Sequence, residues 1–380
     1  MEPKLTDWSA LHLDLLVEIA KGISIVEDFM AFRGVCISWR SAATKDKFVP
    51  RWPRAPLLML ADKPERNLNC VEREFYSLSK GKICMRFTLP EAKGKRCMEV
   101  GFGWLLTVKD TSGEINLLNP FSHQQIHLPG LQTIPEYKIY TWVDPFYYFI
   151  TLATLSHNPS KTSNFTLLAT QCGGKFLGLW RPGDAAWTRI QTYDDTLFEH
   201  VNYYKGKFFA ISYRGEFWVL DDDSPTARIL FSMDRRLLSS YRQLYLVESS
   251  FGKLLLILRV ENAIPNAPLN DIIGKYYCTT AFKVYRVDTT IPDYEEISSL
   301  EGDAIFVGFN DAISISRVEA ETNGIKNNCI YFTDDHWAAF SALGGGGKDT
   351  GIYNVEDRSV EHIHNDLSLI CPSMWIPLGN

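Results

Sequence analysis

The chain is 380 residues long and 46% hydrophobic, which is enough to build two domains or one large one, and its formal net charge of −6 argues against nucleic acid or an anionic membrane as the main partner. No apolar run approaches the ~18 residues that span a bilayer, and the first residues lack an apolar signal core. The eight cysteines (36, 70, 84, 97, 172, 278, 329 and 371) are scattered and never spaced Cys-x-x-Cys, which predicts a reducing compartment, cytosol or nucleus, and no zinc or redox motif.

Helical periodicity opens the chain. Leu15, Leu16, Ile19 and Ile23 recur at helical spacing and predict a helix from about Leu13 to Lys21, with Gly22 marking its stop. Ser24 and Glu27 stand at capping-box spacing, so a second helix should begin there and carry Val26, Phe29, Met30 and Phe32. A break near Gly34 should lead to a third short helix holding Cys36, Trp39 and Arg40. Three short helices with apolar residues on several sides cannot bury that surface alone. The excess needs either the rest of the chain or another protein.

These residues resemble the F-box. That family sets Leu-Pro, an acid, Leu-Leu and Glu-Ile on a first helix, then Val-Cys and Trp-Arg further on. Leu11, Asp14, Leu15, Leu16, Glu18, Ile19, Val35, Cys36, Trp39 and Arg40 fill the pattern, and His12 stands where the family usually has proline. The resemblance implies docking to a Skp-type adaptor, and through it to a cullin ubiquitin ligase. The docking residues it implies are Leu11, His12, Leu13, Leu15, Leu16, Ile19, Val35, Cys36, Trp39 and Arg40. The competing reading is a helical cap packed on the main domain.

Pro50, Pro53 and Pro56 make residues 49–56 a stiff, extended linker. From Leu57 onward the apolar runs shorten to strand length and are bounded by Gly, Asp, Asn and Pro. Similar sets recur at 103–108, 115–118 and 125–128; at 165–168, 176–180 and 187–190; and at 206–211, 217–220 and 228–231. Further sets are 252–258 with 281–287, and 329–332 with 351–355. Each follows one more strand, for example 147–154 or 305–309. Antiparallel four-stranded units in series predict propeller blades. The leftover strands, 57–60, 75–78, 83–87 and 374–378, complete a sixth blade whose innermost strand is the C-terminal one, so that the ring closes without exposed edges. Lys93 to Arg96 read as a basic turn between strands rather than a nuclear import patch.

The expected fold class is therefore α+β in two domains: a small three-helix F-box over 1–48, the linker over 49–56, and an all-β propeller of six blades over 57–380. Gly103-Trp104, Asn119-Pro120, Leu128-Pro129 and the run from Cys329 to Asp334 make the whole chain resemble a family of plant F-box proteins, the KIB type. Its β-propeller was long catalogued as a domain of unknown function.

Little in the sequence points to chemistry. Asp221, Asp222 and Asp223, and likewise Asp334, Asp335 and His336, follow strands directly and read as turn caps rather than catalytic carboxylates. His362 and His364 share one strand face, as a metal half-site would, but no third ligand is near in sequence, so a solvated edge strand is expected. The glycines at 344–347 read as a flexible loop. Tyr245, Tyr276, Tyr277, Tyr285, Trp104, Trp180 and Trp218 sit in or beside apolar runs and read as core. No catalytic residue, metal or cofactor is expected. The function implied is the substrate-receptor subunit of an SCF-type E3 ubiquitin ligase, a non-enzyme that positions a protein target. The alternatives are an F-box protein with a sequestration role, or a propeller enzyme. Long insertions at 61–73, 130–145, 261–278 and 333–349 should emerge on one propeller face, with only 310–328 on the other. Tyr137, Tyr140, Trp142 and Trp337 lie in the first set and are the expected target-binding anchors.

Overall fold

The structure, a computed structural model, describes residues 8, 11–23, 26–43, 55–61, 71–109, 111–138, 149–192, 196–221, 226–238, 241–263, 277–336, 347, 349–363 and 372–378. The N-terminal module holds α1 (Leu13–Gly22), α2 (Val26–Val35) and α3 (Ile37–Ala42). Gly34 does not break the second helix. It falls in the last turn of α2, where its entropic cost is small, and the break comes at Cys36, the extended N-cap of α3 at φ −163° and ψ 177°. Ser24 lies outside the described residues. Leu16, Ala20, Phe29, Phe32, Ala42 and Ala43 form the module's core, with Leu11, Val17, Ile23 and Trp39 packed against it. The Phe32 and Trp39 rings meet at 4.4 Å. Of the linker only Ala55 and Pro56 are described, and both are buried at the start of the propeller.

Among the described residues the remaining chain forms six sheets arranged as blades. The first holds β1 (Leu57–Met59), β2 (Glu72–Ser77) and β3 (Lys82–Thr88). The second holds β4 (Arg96–Glu99), β5 (Leu105–Lys109), β6 (Glu114–Leu118) and β7 (Gln125–Leu128). The third holds β8 (Ile150–Leu155), β9 (Leu167–Gln171), β10 (Phe176–Trp180) and β11 (Thr188–Arg189). The fourth holds β12 (Phe198–Tyr204), β13 (Lys207–Ser212), β14 (Glu216–Asp221) and β15 (Ala227–Ser232). The fifth holds β16 (Tyr241–Glu248), β17 (Leu254–Ala263), β18 (Tyr277–Asp288) and β19 (Asp293–Ile297). Trp104, Trp180, Trp218, Tyr245 and Tyr285 are all buried in the packing of these sheets. The turn expected at Lys93 and Gly94 precedes β4, and Arg96 is buried with its guanidinium donating to the Ile150 carbonyl.

The sixth blade departs from the expected plan. It contains β20 (Ala304–Gly308), β21 (Asn310–Ile315), α4 (Arg317–Thr322), β22 (Cys329–Phe332), β23 (Gly351–Asn354) and β24 (Val360–His362), in the sheet order β21-β20-β22-β23-β24. Residues 310–328 are thus not a loop. They supply an extra innermost strand and a helix, and β20 pairs with β22 in parallel because α4 carries the chain back across the blade. The physical reason is local. Ile313 and Ile315 pack with Phe306, Tyr331 and Trp375, while Ser316 and Glu319 close a capping box that starts α4. Finally β25 (Met374–Ile376) pairs with β1 and is the innermost strand of the first blade, as expected.

Candidate functional site

The short helix α1 carries two apolar stripes. Leu16 and Ala20 point inward and are 0% and 4% exposed, whereas Leu15 and Ile19, also four apart, are 55% and 44% exposed. Leu13, Val35 and Ile37 are also exposed, at 50%, 55% and 82%. Cys36 and Trp39 are half-buried, His12 and Arg40 are exposed, and the Trp39 indole donates to the Trp8 carbonyl at 3.0 Å. The helical period identifies these residues as apolar, but only the packing separates Leu16, a core residue, from Leu15 and Ile19. Ile37 was missed by sequence reasoning. Its signal was an apolar residue opening a short helix with no inward periodic mate.

His12 is the N-cap of α1, at φ −61° and ψ 140°, with no side-chain cap bond; its ring lies 3.3 Å from the Asp14 carboxylate. That φ is the value a proline ring imposes. His12→Pro should therefore fit without strain and stabilise the module by roughly 0.4–1 kcal/mol through the unfolded state. If folding and docking of this module are coupled, calorimetry should show about two- to fivefold tighter binding of a Skp-type adaptor. Weaker binding by the variant would mean that His12 makes a contact of its own.

On the propeller, the most densely bonded polar group among the described residues is Arg259 of β17, which is 0% exposed. Its Nε donates to Thr279 Oγ1 at 2.7 Å, and its Nη1 to the Thr333 carbonyl at 2.8 Å and Asp335 Oδ1 at 3.0 Å. Its Nη2 donates to the carbonyl and to Oδ2 of Asp349, both at 3.0 Å. The Tyr245 hydroxyl donates to Asp335 Oδ2 at 2.5 Å, and the guanidinium stands 4.8 Å from the centre of the Phe332 ring. Burial opposes the charge, but Tyr245, Asp335 and Asp349 hold the guanidinium firmly protonated. Asp335 is therefore not a turn cap but half of a buried ion pair. Asp334 does act locally, accepting from the amides of His336 and Gly347. Together these bonds tie the end of β22, the approach to β23 and the start of β18 into one cluster. The insertions after β17 and β22 are therefore rooted side by side on one face.

His362 also gains neighbours that the sequence did not show. Its Nε2 lies 3.3 Å from Cys278 Sγ, and its Nδ1 lies 3.8 Å from Asp349 Oδ1. These three residues are the group that could hold a metal ion among the described residues. The three groups need no ion to be held in place, because Cys278 and His362 are within hydrogen-bond distance of one another and the Asp349 carboxylate already accepts from Arg259 and Thr279. Burial, and next the Asp349 charge, push the Cys278 thiol up and keep it protonated. His364 lies outside the described residues, as do Asp222, Asp223, Tyr276 and residues 344–346.

Of the expected target-binding anchors, Tyr137 is half-buried and packs on Phe149 with ring centres 4.9 Å apart. Tyr140, Trp142 and Trp337 lie outside the described residues, as do residues 62–70, 139–145, 264–276 and 337–346 of the four long insertions. No helix among the described residues is long and apolar enough to cross a membrane.

Residues 75–354 match the family model of the KIB1-4 beta-propeller. Three Arabidopsis thaliana proteins resemble nearly the whole chain. F-box protein SKIP23 is 27% identical over 406 residues, covering 94% of this chain and 91% of that protein. F-box protein At4g35733 is 26% identical over 381 residues, covering 94% and 96%. F-box protein At2g17036 is 25% identical over 405 residues, covering 98% and 94%. With an N-terminal three-helix module before a six-bladed ring, the chain belongs to the KIB1-4 β-propeller family and is a plant-type F-box protein with a KIB-type propeller.

Proposed function

We propose that this chain is the substrate-receptor subunit of an SCF-type ubiquitin ligase. Its F-box docks a Skp-type adaptor, which connects it to a cullin, and its propeller holds a protein target. It is a non-catalytic subunit working in the cytosol or nucleus. The observation that carries this reading is the set of exposed apolar side chains, Leu13, Leu15, Ile19, Val35 and Ile37, which the module's own core leaves uncovered. Apolar anchors of this kind dominate interfaces, and truncating one typically costs ~2 kcal/mol or more.

Leu15→Ala/Ile19→Ala tests it. The double variant should lose a Skp-type adaptor in pull-down, at least ~30-fold in affinity. Its thermal melt should match that of the parent chain, because neither side chain belongs to the core. Leu16→Ala serves as the contrast. It should loosen the module itself, since deleting a buried leucine costs about 2–5 kcal/mol. Full adaptor binding by Leu15→Ala/Ile19→Ala would sink the docking assignment. On the target side, the face carrying the long insertions, with Tyr137, Tyr140, Trp142 and Trp337, is the proposed recognition surface. The buried Arg259 cluster supports this choice, because it gives two of those insertions rigid roots. An F-box protein that only sequesters its partner differs in one respect: its target's ubiquitination would not depend on the cullin.

A further inference from the structure

The strand β21 runs beside the propeller axis, meeting β16 and β25 in the adjacent blades and β8 and β4 across the ring. It brings Asp311 to Glu99 at the end of β4. Glu99 is 2% exposed; its Oε1 accepts from the amides of Gly101 at 2.9 Å and Gly103 at 3.0 Å, and its Oε2 from the amide of Asp311 at 3.1 Å. Asp311 Oδ2 accepts from Thr154 Oγ1 at 2.8 Å, and its Oδ1 from Asn202 Nδ2 at 3.4 Å. Gly101, at φ +105°, makes room for this approach, since a Cβ there would stand 3.2 Å from Asp311 Oδ2. No cation among the described residues pairs with either carboxylate.

Asn202 supplies a second, separate observation. It is 5% exposed and turns its amide nitrogen to Asp311, which leaves its carbonyl oxygen without a donor among the described residues. A buried acceptor left unsatisfied costs about 1–3 kcal/mol. Asn202, Glu99 and Asp311 all line one cavity of about 370 Å³, which opens at the channel mouth opposite the face of the long insertions. Its remaining wall is mixed: Phe102, Leu155, Ile313 and Leu378 give it an apolar side, and Glu248 and Glu319 a polar one. That volume and lining exceed what a bare metal ion needs, and they suit a charged head on an apolar stem.

We infer that this channel mouth receives an organic cation, a primary ammonium or guanidinium on an apolar stem, with Asp311 and the Asn202 carbonyl oxygen as its acceptors. The inference stands independently of adaptor docking. Two sources share the chemistry: a lysine or arginine side chain of a bound protein, or a free amine. Besides Asp311, the titratable groups facing the site are Glu99 from β4, Tyr203 from β12, Glu248 from the end of β16 and Glu319 from α4, and no basic residue among the described residues lines it. Burial pushes the Asp311 carboxyl up to about 7. A cation must displace that proton, so binding weakens as pH falls below about 7.

The test is calorimetric titration of the full chain with n-butylammonium, Nα-acetyl-lysine methylamide, Nα-acetyl-arginine methylamide, n-pentanol and calcium ion, at pH 8 and pH 5.5. At least one organic cation should bind at pH 8, weaken about tenfold or more at pH 5.5, and outcompete calcium, while n-pentanol should not bind. Preference for the capped amino acids identifies a protein side chain; preference for butylammonium identifies a free amine. Asp311→Asn should abolish binding. Should that variant not fold, Glu248→Gln, at the cavity rim, should weaken binding severalfold while keeping the parent melt. Absence of binding by every organic cation at pH 8, binding by calcium alone, or pH-independent binding would each overturn the inference.

Discussion

Removing residues 372–380 should abolish the folded propeller. Met374, Trp375 and Ile376 are each 0% exposed, and they pair with Met59, Leu58 and Leu57 of β1. Trp375 meets Phe306 edge-on at 5.1 Å and Tyr331 at 6.2 Å, so this strand joins the first blade to the sixth. The burial of these three side chains is worth on the order of 6–10 kcal/mol. An ordinary domain has only about 5–15 kcal/mol in total. The truncation would also bare the backbone edge of β1 at the centre of the ring, where it can pair with another copy. Gel filtration should show aggregate, and circular dichroism should show no cooperative melt. Trp375→Ala offers a graded version, with an expected loss of about 3–5 kcal/mol. A truncated chain that melts within a few degrees of the full one would show that the tail does not close the ring.

Arg259→Leu should be the most damaging single substitution at a polar position. The change leaves Asp335 and Asp349, 8% and 2% exposed, facing one another's cluster without their cation. Breaking a buried pair from one side typically costs about 3–5 kcal/mol, which lowers the melting temperature by on the order of 10 °C. Arg259→Lys should recover only part of this, because an ammonium cannot reach Thr279, Thr333, Asp335 and Asp349 together as the planar fork does. Combining Arg259→Leu with Asp335→Asn and Asp349→Asn should restore stability partly, by removing the stranded charges. Hydrogen exchange gives a local readout. The Thr279 amide, which donates to Asp349, should exchange faster in Arg259→Leu than in the parent chain. An unchanged melt and unchanged exchange would mean that the cluster holds nothing together.

Features carried by neighbours along the chain were legible from the residues alone. Helical spacing of Leu15, Leu16 and Ile19 located α1, and β-branched runs between glycine and aspartate turns located most of the strands. Repetition of those runs implied the blades, and the leftover strand at 374–378 implied ring closure. These signals are local, so they survive without knowledge of what packs where. Even the missed helix α4 had one, in the capping pair Ser316 and Glu319. Other features depended on contacts between distant residues. Periodicity marks Leu15 and Leu16 alike as apolar, and only the packing of Phe29 and Phe32 decides that Leu16 faces inward. The parallel pairing of β20 with β22 is non-local and leaves no alternation of its own to read. Arg259 finds Asp335 and Asp349 from 76 and 90 positions away, and Asp311 finds Glu99 from 212. A charge in a strand looks solvated until the blades close around it, and closure of the ring alone decides which charges are buried together.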